Sequence, residues 1–191
     1  MRTGIFTFLL ILSFQMNLNA RNVVQDVKEK SFWGSAELGY GWNMRDNGKS
    51  GDMNLRISDG GMRSLRLKAG YYLMSRFSLG AGLGLRYYNT GNLNTLPIFP
   101  DIRYHIKSLP ELYAYTDIGA SLEGTDKAFT SGSMLDIGVA YKIRLGKRIS
   151  LNPAIGYNLF KYSREFLLLP EKRLKHTVFL QLGFQFQPNR Q

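Results

Sequence analysis

The sequence predicts an all-β fold, an eight-stranded antiparallel up-and-down transmembrane β-barrel, and three observations lead there. Apolar and polar residues alternate with period two from Phe32 to Phe186, charges fall on only one of the two faces this creates, and connections alternate between short and long. Period two places successive side chains on opposite sides of a strand, so each segment acquires one apolar and one polar face.

The first strand sets Phe32, Gly34, Ala36, Leu38, Tyr40, Trp42 and Met44 against Ser35, Glu37, Gly39, Gly41 and Asn43. The second sets Leu65, Leu67, Ala69, Tyr71 and Leu73 against Arg66, Lys68, Gly70 and Tyr72, and the third runs from Phe77 to Tyr87 with Gly80, Gly82, Gly84 and Arg86 on the polar side. A fourth, from Leu96 to Ile106, carries Asp101, Arg103 and His105 opposite Ile98, Pro100, Ile102 and Tyr104. Tyr113, Tyr115 and Asp117 mark the polar face of the fifth, Leu112 to Leu122, and Asp136 and Lys142 that of the sixth, Leu135 to Ile143. The seventh alternates from Ile149 to Leu159, and the eighth from Val178 to Phe186. Pro97, Pro100 and Pro153 predict irregular pairing, because proline removes a ladder hydrogen bond and a closed barrel has no edge to accommodate it.

No charged residue lies on the apolar faces, whereas the opposite faces hold Glu37, Arg66, Lys68, Arg86, Asp101, Arg103, Asp117, Asp136 and Lys142. A cation on the lipid face of a membrane barrel costs about 2–4 kcal/mol at the midplane, and strict exclusion follows from that penalty. Alternation alone leaves open a soluble lipocalin-like carrier with its apolar face inward. Charge exclusion and the aromatic final strand favour the membrane barrel. The Gly80-Ala81-Gly82-Leu83-Gly84 run lies inside a strand rather than opening a helix, so it supplies small inward residues instead of a nucleotide loop.

Turns at Ser75-Arg76, Lys107 to Glu111 and Leu145 to Arg148 are short, while Arg45 to Ser64, Tyr88 to Thr95, Glu123 to Met134 and Lys161 to Thr177 are long and polar. Outer-membrane barrels place short turns in the periplasm and long loops outside.

Averaged over the chain, these features disappear. The 191 residues are 44% hydrophobic and 13% aromatic, with 25 Lys+Arg against 14 Asp+Glu, a formal charge of +11 and a mean hydropathy of -0.20, which alone describe a basic soluble protein. The absence of cysteine excludes a disulfide scaffold, a thiolate metal site and a cysteine nucleophile. With His105 and His176 as the only histidines, a multi-histidine metal site is not expected.

Arg2, the apolar run Ile5 to Phe14 and the small residue Ala20 have the three-part pattern of a secretory signal peptide. The expected organisation is a signal peptide over 1–20, a periplasmic extension over 21–30, a transmembrane barrel over 31–186 and a periplasmic tail over 187–191.

With these segments in place, the chain resembles the small eight-stranded outer-membrane β-barrels of Gram-negative bacteria and is similar to the transmembrane domain of outer membrane protein A. The most specific element is the last strand, Val178-Phe-Leu-Gln-Leu-Gly-Phe-Gln-Phe186, which looks like the C-terminal signal read by the barrel assembly machinery. The resemblance implies a cell outer-membrane location, insertion by that machinery, and contact with membrane lipid and lipopolysaccharide. A monomer is expected, with no nucleic acid and no cofactor.

The nine inward charges are expected to pair as a plug, since a charge in a narrow lumen is costly unless a partner and hydrogen bonds compensate it. A structural or surface-interaction role follows; the alternative is a narrow channel or small-ligand barrel. Outside the strands, Arg45, Lys49, Arg56, Arg63, Lys161, Arg164, Lys172, Arg173 and Lys175 form a basic set suited to lipopolysaccharide phosphates through charge-assisted hydrogen bonds. Phe166-Leu167-Leu168-Leu169-Pro170 offers an apolar loop tip. No enzymatic activity is expected: an acyl-transfer site needs a nucleophile within reach of a base, and no serine follows His176 at the required spacing.

Overall fold

A computed structural model describes residues 31–50, 53–56, 60–89, 92–123, 129–166 and 169–188; within these, the side chains of 46–50, 53–56, 164–166 and 169–171 lie outside the description. The expected signal peptide and residues 21–30 fall outside the described residues, as do Asn189 to Gln191 of the tail.

The chain forms β1 (Phe32–Ser50), β2 (Met53–Arg56), β3 (Gly61–Met74), β4 (Phe77–Tyr88), β5 (Leu93–Ile106), β6 (Leu109–Leu122), β7 (Gly132–Tyr141), β8 (Ile143–Arg144), β9 (Ile149–Phe166) and β10 (Leu169–Phe186). Every pairing is antiparallel; β1, β3, β4, β5, β6, β7, β9 and β10 pair in turn, and β10 returns to β1 to close the sheet. β8 continues the line of β7 beyond Lys142, and β2 folds back on the upper part of β1, so eight strands span the wall.

The two faces separate as the alternation requires. Leu38, Leu67, Leu83, Ile98, Ile118, Ile137, Ile155 and Leu180 are exposed on the outside, and Glu37, Arg66, Asp101, Asp117 and Asp136 are buried within. That arrangement overturns the lipocalin-like alternative, which needs the apolar face inside. Outward aromatics sit near strand ends, with Phe32, Tyr104 and Phe186 toward the short turns and Tyr40 and Trp42 toward the other end, where their rings meet edge to face at 5.2 Å.

The prolines interrupt hydrogen bonding without moving the register. Leu83↔Ile98 and Arg86↔Thr95 flank an unpaired step beside Pro97, and Ile98↔Ala120 and Asp101↔Asp117 flank another beside Pro100. Pro153 lies where pairing with β7 ends at Ala140↔Ala154 and resumes at Ile143↔Leu151, so the missing proline N–H coincides with the β7–β8 break. True register shifts occur elsewhere, at Asn43/Arg45, Tyr72/Met74 and His105/Ile106.

Two of the long connections, Arg45 to Ser64 and Lys161 to Thr177, are mostly strand. The segment Lys161 to Thr177, expected as a loop, instead extends the β9–β10 ladder from His176↔Leu159 up to Leu169↔Phe166. Its apolar tip, including Leu167 and Leu168, lies outside the described residues and side chains.

Candidate functional site: the charged interior

Strand register builds the interior before any side chain reaches across it. Asp101 pairs with Asp117 between β5 and β6, and Asp117 pairs with Asp136 between β6 and β7, giving a row of three carboxylates on adjacent strands. Like charges directly opposite are destabilising in a sheet. Cations from the facing wall offset that repulsion: Arg66 and Lys68 on β3 and Arg86 on β4, which stands opposite Ser64, all point inward.

Arg66 Nη1 donates to Asp117 Oδ2 at 3.0 Å and to Asp136 Oδ2 at 2.7 Å. Lys68 Nζ donates to Asp101 Oδ2 at 2.6 Å and Asp117 Oδ2 at 2.7 Å, and Arg86 pairs with both oxygens of Asp136. Arg103, two residues along β5 from Asp101, binds it through Nε at 2.7 Å. Glu37 occupies the centre of the cations, 3.4 Å from Arg66 Nε, 3.5 Å from Lys68 Nζ and 3.6 Å from Arg103 Nη2. Four cations and four carboxylates therefore cancel formally in one layer.

Neutral side chains complete the layer. Gln181 donates to Glu37 at 2.5 Å, Asn158 donates to Asp136 at 2.5 Å while accepting from Tyr88, and Gln185 Oε1 accepts from both Arg103 and Asn152 at 3.0 Å. Aromatic rings fill the remaining width: Arg103 lies 3.6 Å from the Trp33 ring centre, Arg66 stacks near Phe179, and Lys68 sits between Phe99 and Tyr115. The inward glycines make room for these rings. A Cβ at Gly82 would stand 2.5 Å from the Phe99 ring, and one at Gly156 would stand 2.5 Å from the Phe179 ring.

Eight of the nine expected interior charges thus meet in one cluster. Lys142 departs from it: the β7–β8 break places it at the short-turn mouth, where Nζ donates to Gln187 Oε1 at 2.6 Å. The neutral partners Gln181, Gln185, Asn152 and Asn158 were not singled out by charge, although each shares the inward parity of its strand.

The basic set divides. Arg45, Arg63, Lys161 and Lys172 are exposed, and Arg173 is half-buried. Lys175 is fully buried inside the barrel, 5.8 Å from the Tyr88 ring centre, because the inward parity of Phe179 and Thr177 continues through it; it is therefore removed from the surface set. The side chains of Lys49, Arg56 and Arg164 lie outside the described residues. His105 is buried between Tyr72 and Tyr113 with Nδ1 2.9 Å from the Pro110 carbonyl oxygen, and His176, on the outer wall, has Nδ1 2.6 Å from the Tyr157 hydroxyl.

A closed antiparallel barrel of eight strands, apolar outside and polar within, is the architecture of the small outer-membrane β-barrels. The chain matches no protein-family model and no curated protein. Among solved structures it is similar to outer membrane protein AlkL, determined in DMPC lipid bilayers, at 15% identity and a TM-score of 0.53 over 90% of this chain and 96% of that one. It is also similar to outer membrane protein OprG from Pseudomonas aeruginosa, at 12% identity and a TM-score of 0.52 over 88% of this chain and all of that one. At these identities the likeness is one of fold.

Proposed function

We propose that this chain is an integral outer-membrane barrel with an interior closed to ion flow, acting through its outer surface as a structural or surface-interaction protein. The carrying observation is the interior layer itself. Glu37, Arg66, Lys68, Arg86, Asp101, Arg103, Asp117 and Asp136 bridge one wall to the other, and the space beside Glu37, Lys68, Tyr115 and Gln181 admits no water molecule. Eight strands enclose an interior that side chains can fill, and here they do so with paired charges. The apolar outer belt supports membrane insertion, and the outer-membrane neighbours support the compartment.

Exposed Arg45, Arg63, Lys161 and Lys172 supply the proposed contacts to lipopolysaccharide phosphates. Arg63 projects outward on β3 between Tyr40 and Tyr87 of the neighbouring strands, a cation bordered by amphipathic rings suited to a headgroup boundary. Purified protein in a planar bilayer tests the closed interior: baseline current is expected, and a steady, large open-channel current would overturn it.

A further inference from the structure

On the outer wall, toward the long connections, the ladder stacks two rows of different character. Leu38, Leu65 and Leu85 stand directly opposite one another on β1, β3 and β4, and the next outward row on the same strands is Tyr40, Arg63 and Tyr87. Tyr87 is half-buried and the other five are exposed. Opposed residues have Cβ atoms about 4.5–5.5 Å apart, so each row forms a continuous strip. Arg63 is the one charged residue among the outward positions of β3 and β4, and it has no ion pair with any described residue.

Tyr40 leans toward that cation. A Cβ at Gly61, two residues from Arg63 on the same face of β3, would meet the Tyr40 hydroxyl at 2.9 Å, so the missing side chain lets the hydroxyl reach the strand that carries Arg63. Beside these groups runs an apolar groove of about 670 Å³ lined by Leu38, Leu65, Leu85 and Phe129. Phe129 precedes Thr130, whose N donates to Asn94 O at 2.7 Å and so fixes this part of the β6–β7 link against β5.

We infer that this face holds one lipid A molecule, with a phosphate on Arg63 and the Tyr40 hydroxyl and an acyl chain in the groove along Leu38, Leu65 and Leu85. The inference rests on the outer-membrane reading and narrows its lipopolysaccharide contact to a single site. A guanidinium presents a fork of donors suited to phosphate oxygens, and a hydroxyl adds another. The leucine row begins two residues along the strand, about 7 Å from the cation, so charge and apolar surface follow one another as they do in a phosphorylated lipid. Long connections mark the outer leaflet, which selects lipid A over inner-leaflet phospholipid. Exposed Arg45, Lys161 and Lys172 stand on β1, β9 and β10 away from the groove.

The test uses the full folded chain in detergent micelles, with bound lipid counted by native mass spectrometry. One lipid A per barrel is expected, at least tenfold tighter than phosphatidylglycerol or phosphatidylcholine, with no retention of glucosamine 1-phosphate, which lacks acyl chains. Arg63→Glu and Arg63→Gln should each weaken it at least tenfold, and Leu65→Trp, which fills the groove without adding charge, at least fivefold. Lys161→Glu should leave it unchanged. Heat-modifiable gel migration establishes that each variant is folded. Equal affinity for phosphatidylglycerol, full binding by folded Arg63→Glu, or equal losses from Arg63→Glu and Lys161→Glu would overturn the inference. A folded barrel that remains in carbonate-washed membranes but binds no lipid A overturns the inference alone; release of the protein by carbonate would overturn the outer-membrane reading and this site with it.

Discussion

Asp117 stands directly opposite Asp136 across β6 and β7, and a single nitrogen, Arg66 Nη1, lies within hydrogen-bond distance of both. Two carboxylates in one cross-strand pair are tolerable only because a cation from the far wall sits between them. Arg66 is consequently the residue on which the carboxylate row most directly depends.

Replacing Arg66 with Leu should destabilise the barrel by about 3–5 kcal/mol, the range for removing one partner of a buried pair. The double variant with Asp117→Leu should recover part of that loss, since Lys68 keeps Asp101 and Arg86 keeps Asp136. Urea unfolding in lipid vesicles measures both, and strictly additive losses would contradict the coupling.

Interior width gives a second prediction. Gly82→Leu forces a side chain against Phe99 and Lys68, whose nearest atoms would be 2.5 Å and 2.9 Å from the new Cβ, so a loss of about 1–3 kcal/mol is expected from overpacking. Gly146→Ala, with nothing within 4 Å, provides the control and should leave unfolding unchanged.

The outer belt can be probed by depth. Leu67→Arg, midway along β3 on the outer face, should cost about 2–4 kcal/mol, whereas Leu109→Arg at the short-turn end should cost only about 0–1 kcal/mol. Equal losses at the two positions would argue that no bilayer surrounds the belt.

Surface cations carry the proposed lipid contact. Arg45→Glu, Arg63→Glu and Lys161→Glu together should reduce co-purifying lipopolysaccharide several-fold, while Lys107→Glu at the opposite end should not. Unchanged lipopolysaccharide in the triple variant would reject the contact.

The wall was legible from the sequence because lipid and a crowded lumen impose opposite demands on alternate residues, and Leu65 to Leu73 or Phe77 to Tyr87 satisfy both without exception. Beyond the belt that contrast disappears. The residues of Lys161 to Lys175 are mostly polar on both sides of the chain, so the β9–β10 extension resembles a loop in composition even though its backbone remains paired. The same loop-like composition hides the parity that carries Lys175 inward. The Lys142 departure has a different origin: Pro153, on the neighbouring strand, removes a ladder bond, and only the pairing of β7, β8 and β9 reveals where that gap falls. The carboxylate row was hidden similarly, because residues distant in sequence become neighbours only when register is known.

The division of charge between facing walls also bears on how the molecule is assembled. A hairpin of β3 and β4 entering lipid alone would bring Arg66, Lys68 and Arg86 with no acid from β5, β6 or β7 to meet them, and those three strands would bring Asp101, Asp117 and Asp136 with Arg103 as their one inward cation. Each half of the wall is therefore unsuited to stand in a membrane by itself. Neutrality arrives only when the sheet has curled far enough for its sides to touch, which favours a concerted final closure over the accumulation of stable half-barrels.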